Sequence, residues 1–350
     1  MAPAFPSTRR AAAFGATLVL LLTLPITLHW TGGASKEEAY RGISERAGTF
    51  NYFRRQIFEE HSDVDILFSG SSLLGNAVDI RSVERELSRA IGRQATVISL
   101  RQSWQGPDMN YFVARDFLEQ RKVKLLVIAT PAWMHHSNQP HVQLLRVVRY
   151  GDHPGALDGL ALRSRLAVYA DYVLGAPRQA LNLLRSNLID PQVEVPASPH
   201  VKPAGYMGGP FVKRQVVAPP IPLASLIRSG ESRDCFRFDG PPLNSYQLHF
   251  LRKTEELAQQ QGALLVILHL PSPSERGSEV VPDRQLTPEL LGAGVVFAGV
   301  PSARMFENIP SAQFEDYFQD EHLNLNGSEL FTGIITPVLI QLYEQHTQSR

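Results

Sequence analysis

Val64-Asp65-Ile66-Leu67-Phe68-Ser69-Gly70-Ser71-Ser72 is the stretch on which the fold turns. An apolar run of strand length that ends in glycine and two serines reads as a buried strand feeding a tight turn. Downstream, Ile80, Val83, Leu87 and Ile91 recur at helical intervals, and Ala95-Thr-Val-Ile-Ser-Leu100 is strand-like again, so the segment opens as a βαβ unit. Pro107 suits the first turn of a helix reaching about Gln120, and Lys124-Leu-Leu-Val-Ile-Ala129 supplies a third strand. A helix over Ser245 to Gln260 precedes a fourth strand at Ala263 to Leu268, and Gly294 to Ala298 gives a fifth. The closing helix places Leu330, Phe331, Ile334, Ile335, Val338, Leu339 and Leu342 on one face. Strands that are apolar throughout and alternate with helices predict a parallel sheet covered on both sides, a three-layer α/β/α domain.

Between strands three and four, more than a hundred residues break this pattern. The first part, about His141 to Leu188, reads as helical. The second holds eight prolines between Pro191 and Pro222 and reads as an irregular excursion. The expected organisation is an α/β domain over 61–345 with an insertion at about 134–243, preceded by a helical stalk at 31–60.

Residues Ala11 to Trp30 carry no Asp, Glu, Lys or Arg, and a helix of this length reaches the thickness of a bilayer core of ~30 Å. Arg9 and Arg10 precede it and the next charge is Lys36, so the positive-inside bias keeps a cytoplasmic tail over 1–10 and exports the body. The expectation is one transmembrane helix at 11–30 in the inner (cytoplasmic) membrane, with the domain on its periplasmic or extracellular side. The alternatives are a signal peptide cut near Gly33-Ala34 and an N-terminal helix buried in a soluble chain.

Composition narrows the function classes. The 350 residues hold 34 Lys+Arg against 34 Asp+Glu, which lacks the basic excess of a nucleic-acid binder. The one cysteine, Cys235, excludes an intramolecular disulfide and a cysteine zinc cluster.

Reactive residues of open parallel sheets gather at the carboxyl ends of the strands. The first such end carries Gly70-Ser71-Ser72. A serine on a strand-to-helix turn can expose its hydroxyl while its own N–H points at the reaction centre, whereas the plain alternative has both serines capping the next helix. The stretch before the last helix reads Asp320-Glu321-His322-Leu323-Asn324, and a general base needs an imidazole with a carboxylate to orient it. His135 and His136 after strand three and His269 after strand four are candidate substrate contacts. The histidine spacing, with only His141 near the pair, does not make a metal site. Trp104 and Trp133 flank the same strand ends and suit stacking on a sugar ring or plain packing.

With these motifs in place, the chain resembles the SGNH/GDSL hydrolase superfamily, in particular its divergent membrane-anchored branch of alginate O-acetyltransferases and the D-alanyl-teichoic-acid transfer protein. The resemblance runs over about Val64 to Tyr343, without most of the insertion. Gly70-Ser71-Ser72-Leu73 is similar to the first sequence block, with Ser72 in the nucleophile place. Gln105-Gly106-Pro107 resembles the second, whose glycine N–H joins that of the serine in the oxyanion site. Asp320-Glu321-His322-Leu323-Asn324 resembles the last, with His322 as base and Asp320 as its partner. The third block, normally an asparagine after strand three, reads Ala129-Thr-Pro-Ala-Trp133 here, with the first asparagine at Asn138.

The resemblance implies a serine acyl enzyme needing no cofactor and no metal. It acts by O-acyl or O-acetyl transfer to a cell-surface polysaccharide or other acyl acceptor, at the membrane and beside a membrane acyl-donor protein. An esterase of small or lipid esters, and a catalytically silent domain that binds polysaccharide or scaffolds an export complex, are the alternatives.

Overall fold

The computed structural model describes residues 5–31, 35–43, 49–102, 106–129, 140, 143–188, 211–228, 245–273 and 295–349. The chain divides into two compact units. One joins Met1–Phe58 to Pro140–Ala197, and the other joins Glu59–Gln139 to Ser198–Arg350. The helical first part of the insertion therefore belongs with the N-terminal segment, while its proline-rich part at 211–228 belongs with the α/β unit.

The α/β unit is built on β1 (Val64–Ser71), β2 (Val97–Gln102), β3 (Val123–Ala129), β5 (Leu264–His269) and β6 (Val295–Gly299). These five are parallel in the order β2-β1-β3-β5-β6, and the two-residue β4 (Ile227–Arg228) closes the β6 edge antiparallel. Parallel pairing needs a crossover at every step, which is why the apolar runs alternate with helices.

Helices pack against both faces of the sheet. Ile66, Phe68, Leu125, Val127, Val266 and Leu268 share one core with Val83 and Leu87 of α5 (Ile80–Ile91). Met305 of α11 (Ser302–Met305) and Leu330, Phe331, Ile335, Val338 and Leu339 of α12 (Leu325–Gln348) complete that core. The intervening strand residues Leu67, Leu126 and Ile267 are equally buried and by the strand period of two point the other way. Helices α6 (Pro107–Leu118) and α10 (Ser245–Gln261) lie there, bringing Met109, Phe112, Phe117 and Phe250.

Polar residues within this unit are tied down. Asp65 accepts both guanidinium nitrogens of Arg93 at 2.6 and 3.0 Å, the Tyr343 hydroxyl at 2.7 Å and the Thr96 N–H at 2.8 Å. This clamp ties β1 to the loop before β2 and to the end of α12. Burial opposes the charge, but these partners hold the Asp65 carboxyl below its usual range, while burial and the bond to Asp65 push the Tyr343 phenol up to about 12.

The other unit is helical: α1 (Thr8–Trp30), α2 (Lys36–Arg41), α3 (Thr49–Arg54), α7 (Leu144–Val147), α8 (His153–Ala156) and α9 (Leu162–Leu188). Ser35 caps α2 in a reciprocal capping box with Glu38. Helix α1 packs along α9.

The transmembrane span expected over 11–30 is not shown at this level. Helix α1 forms where the span was placed, yet among the described residues no helix is long and apolar enough to cross a membrane.

Candidate active site

Strand β1 ends at Ser71 and helix α4 (Ser72–Ala77) begins at the next residue. So abrupt a turn requires the helix to fold back over the strand end. Gly70 permits it, because a Cβ there would stand 2.8 Å from the Leu74 side chain. The two serines then take different tasks. Ser71 is buried, and its hydroxyl accepts the Leu73 N–H at 3.2 Å as the N-cap of α4. Ser72 opens the helix, so its own N–H has no acceptor inside the helix, and its side chain is half-buried.

The Ser72 hydroxyl meets His322: Oγ and Nε2 are 2.9 Å apart across 250 positions of sequence. His322 opens β8 (His322–Leu323), which pairs antiparallel with β7 (Phe318–Gln319), so that Gln319 stands opposite His322. Asp320 and Glu321 form the turn, and Asp320 takes a φ of 50°, a left-handed conformation that Asp tolerates better than most side chains.

The hairpin is held by the start of α12. Asn324 caps that helix, accepting the N–H groups of Asn326 and Gly327, and its amide donates to the carbonyls of Asp316 and Phe318. The fully buried Asn326 donates to the Val212 and Asp316 carbonyls and accepts the Arg214 N–H. Arg214 in turn pairs with Asp316. Buried side-chain networks of this kind fix one geometry, and here they fix the backbone that carries the imidazole.

Burial is the main influence on the His322 ring and pushes its pKa below the usual imidazole value. The Asp320 carboxylate opposes that shift and the Arg101 guanidinium reinforces it. A neutral Nε2 facing a serine hydroxyl is the protonation state a general base requires. Asp320 is exposed, and among the described contacts its link to His322 is electrostatic rather than a hydrogen bond. It biases the ring's charge more than it orients the ring.

Arg101, which ends the apolar run of β2, was not picked out from sequence. The side chain crosses Gly75, where an added Cβ would lie 1.8 Å from Arg101 Cδ, and its Nη1 donates to Asn76 Oδ1 at 3.1 Å. A charge closing a strand directly beside Gly70 in the register was the available signal.

Gly106 is buried and forms the N-cap of α6, following β2 as the second motif anticipated. His269 ends β5 and is fully buried, a position within the packed sheet rather than on an open surface. Trp104, Trp133, His135 and His136 lie outside the described residues. Among the described residues no group of three or more His, Cys, Asp or Glu is placed to hold a metal ion. A cavity of about 790 Å³ lies between α5 and α12, lined by Asp79, Arg85, Glu329 and Thr332, and neither Ser72 nor His322 lines it. The Ser72–His322 pair is the candidate site, because it shares the hydrogen bond that a nucleophile and its base require.

Compared with known proteins, the chain matches no family model, no curated protein and no solved structure.

Proposed function

We propose that this chain is a serine acyl-transfer enzyme of SGNH-like architecture that moves an acyl group, acetyl in the simplest case, onto a hydroxyl of a cell-surface polysaccharide. The observation that carries the reading is the 2.9 Å contact of Ser72 Oγ with His322 Nε2 at the carboxyl end of the first strand. In the first half-reaction Ser72 Oγ bonds to the acyl carbonyl carbon while His322 takes the serine proton. The tetrahedral adduct then collapses: the bond to the donor's leaving group breaks, and His322 returns the proton to that group. In the second half-reaction an acceptor hydroxyl attacks acyl-Ser72 with His322 again as base, releasing the acylated acceptor and free Ser72. The Ser72 and Gly106 N–H groups are the oxyanion donors in this reading, with Asp320 tuning the imidazolium that forms.

The location proposed with this activity is the outer side of the inner membrane, with α1 as anchor. Its support is the charge-free sequence of 11–30 behind Arg9 and Arg10, and the exposure of Phe14, Leu18, Val19, Leu20 and Leu21 on α1. A reporter fused after Ser35 reads the topology: export with membrane retention supports the anchor, and a freely soluble exported body overturns it.

The chemistry is tested by incubating the purified chain with an activated acyl ester and an oligosaccharide acceptor. Mass analysis then follows both the acceptor and the peptide bearing Ser72. Acylated acceptor and an acyl adduct on Ser72 are the expected results. Free acid as the sole product with every acceptor assigns the site to an esterase, and an unmodified, unreactive Ser72 refutes both.

A further inference from the structure

Large apolar side chains left in solvent are concentrated in the helical unit. Of the thirteen exposed ones among the described residues, eleven belong to it, on α1, just before it, or on α9. On α9, Leu162 is 72% exposed, Leu166 60%, Leu174 71% and Leu181 65%. At 100° per residue these four fall within about one-third of a turn, an arc that also holds the exposed Ala170 and Arg163. The adjoining side of the helix, about 100° round from the centre of that arc, holds the buried Tyr172, Ala176, Gln179 and Ala180. The unpacked face of this 27-residue helix is therefore a mainly apolar stripe with Arg163 set in it, rather than the polar surface that a solvated helix presents.

Charge says what covers it. Helix α9 carries Arg163, Arg165, Arg178 and Arg185 against the one acid Asp171. The segments of the unit as a whole hold thirteen Lys or Arg against eight Asp or Glu, a surplus of five in a chain whose total charge is zero. Two copies of so basic a unit repel each other, whereas an anionic headgroup layer attracts both the stripe and the exposed Arg163 and Arg178 in and beside it. The stripe is also continuous in character with the exposed apolar side chains of α1, which packs along α9.

We propose that the outward face of α9 lies in the headgroup layer of an anionic membrane, as an in-plane amphipathic helix beside α1. This surface is independent of the Ser72 chemistry and does not require α1 to span. It gives the unit a second lipid contact, distinct from the anchor.

The test uses the full-length chain with Cys235→Ser as background and one environment-sensitive label at a time, introduced by Leu174→Cys on α9, Val19→Cys on α1 or Lys122→Cys on the α/β unit. Each protein is combined with phosphatidylcholine vesicles, with or without phosphatidylglycerol, and with or without tail-brominated lipid. The expected result is a blue shift and bromolipid quenching at position 174 on the anionic vesicles, weakened by salt, and neither effect at position 122. Quenching at 174 supports the proposal whether or not 19 is quenched. Quenching at 19 alone overturns it while leaving the anchor intact, and quenching at neither site removes both membrane contacts. A blue shift at 174 that grows with protein concentration in the absence of lipid overturns it in favour of a second copy of the chain.

Discussion

If Ser72 and His322 act as one device, their removals must not add. The contact is one hydrogen bond of 2.9 Å between a nucleophile and a nitrogen placed to take its proton, so losing either group ends the same proton transfer. General-base assistance contributes about 10²–10⁴ in rate, or about 2.7–5.4 kcal/mol of barrier. Ser72→Ala and His322→Ala should each lower kcat/KM by at least that factor. Independent contributions would multiply to about 10⁴–10⁸ in the double variant, whereas a shared device leaves it close to the singles, a coupling of about 3–5 kcal/mol. Ser71→Ala is the internal control. Its hydroxyl is buried and spent on the Leu73 N–H, so it should lower stability by about 0.5–2 kcal/mol and spare most of the turnover. The assay is cleavage of an activated acyl ester under steady state, with thermal unfolding of each variant alongside. Multiplicative loss in the double variant, or full turnover in Ser72→Ala, would refute the reasoning. Equal kinetic loss from Ser71→Ala would move the nucleophile by one residue.

Three further outcomes are expected. The rising limb of the pH–rate profile should lie below the ordinary imidazole value of 6.5, because burial and Arg101 both disfavour the charged ring. Arg101→Gln should move it up, and Asp320→Asn should move it down slightly, since that carboxylate is exposed and screened; no movement in either variant would remove these charges from the site. Gly327→Ala should cost about 1–3 kcal/mol in denaturant unfolding and reduce activity with it, because the new Cβ would sit 2.3 Å from the Tyr317 carbonyl and force apart the α12 start that holds the His322 hairpin. The Asp65 contribution to stability should be present above the ordinary carboxylate value of 3.8 and lost as pH falls through its lower folded-state pKa; Asp65→Asn should be less stable at neutral pH and lack that acid-limb dependence, measured by urea midpoints against pH.

The sequence by itself determined the five parallel strands, though not their order or the antiparallel edge strand β4. Runs such as Leu125 to Ala129 and Leu264 to Leu268 are apolar at every position, and a strand buried on both faces leaves no other pattern, so their place in a parallel sheet was readable locally. Helix α5, from Ile80 to Ile91, was readable for the same reason, its apolar spacing being set by the 3.6-residue turn. Gly70-Ser71-Ser72 and Asp320-Glu321-His322 were also visible as candidate chemistry.

What local pattern left open was which serine meets His322, since both are small, polar and adjacent. Tertiary structure decided it through the α4 cap that takes Ser71 and the hairpin register that puts Gln319 opposite His322. The exposure of Asp320, the closeness of Arg101 to the imidazole, and the union of α9 with the N-terminal helices in one unit were likewise invisible. Each depends on contacts between segments far apart in the chain. Hydrophobic periodicity records which face a segment buries, but the identity of the partner it buries against is written only in the folded arrangement.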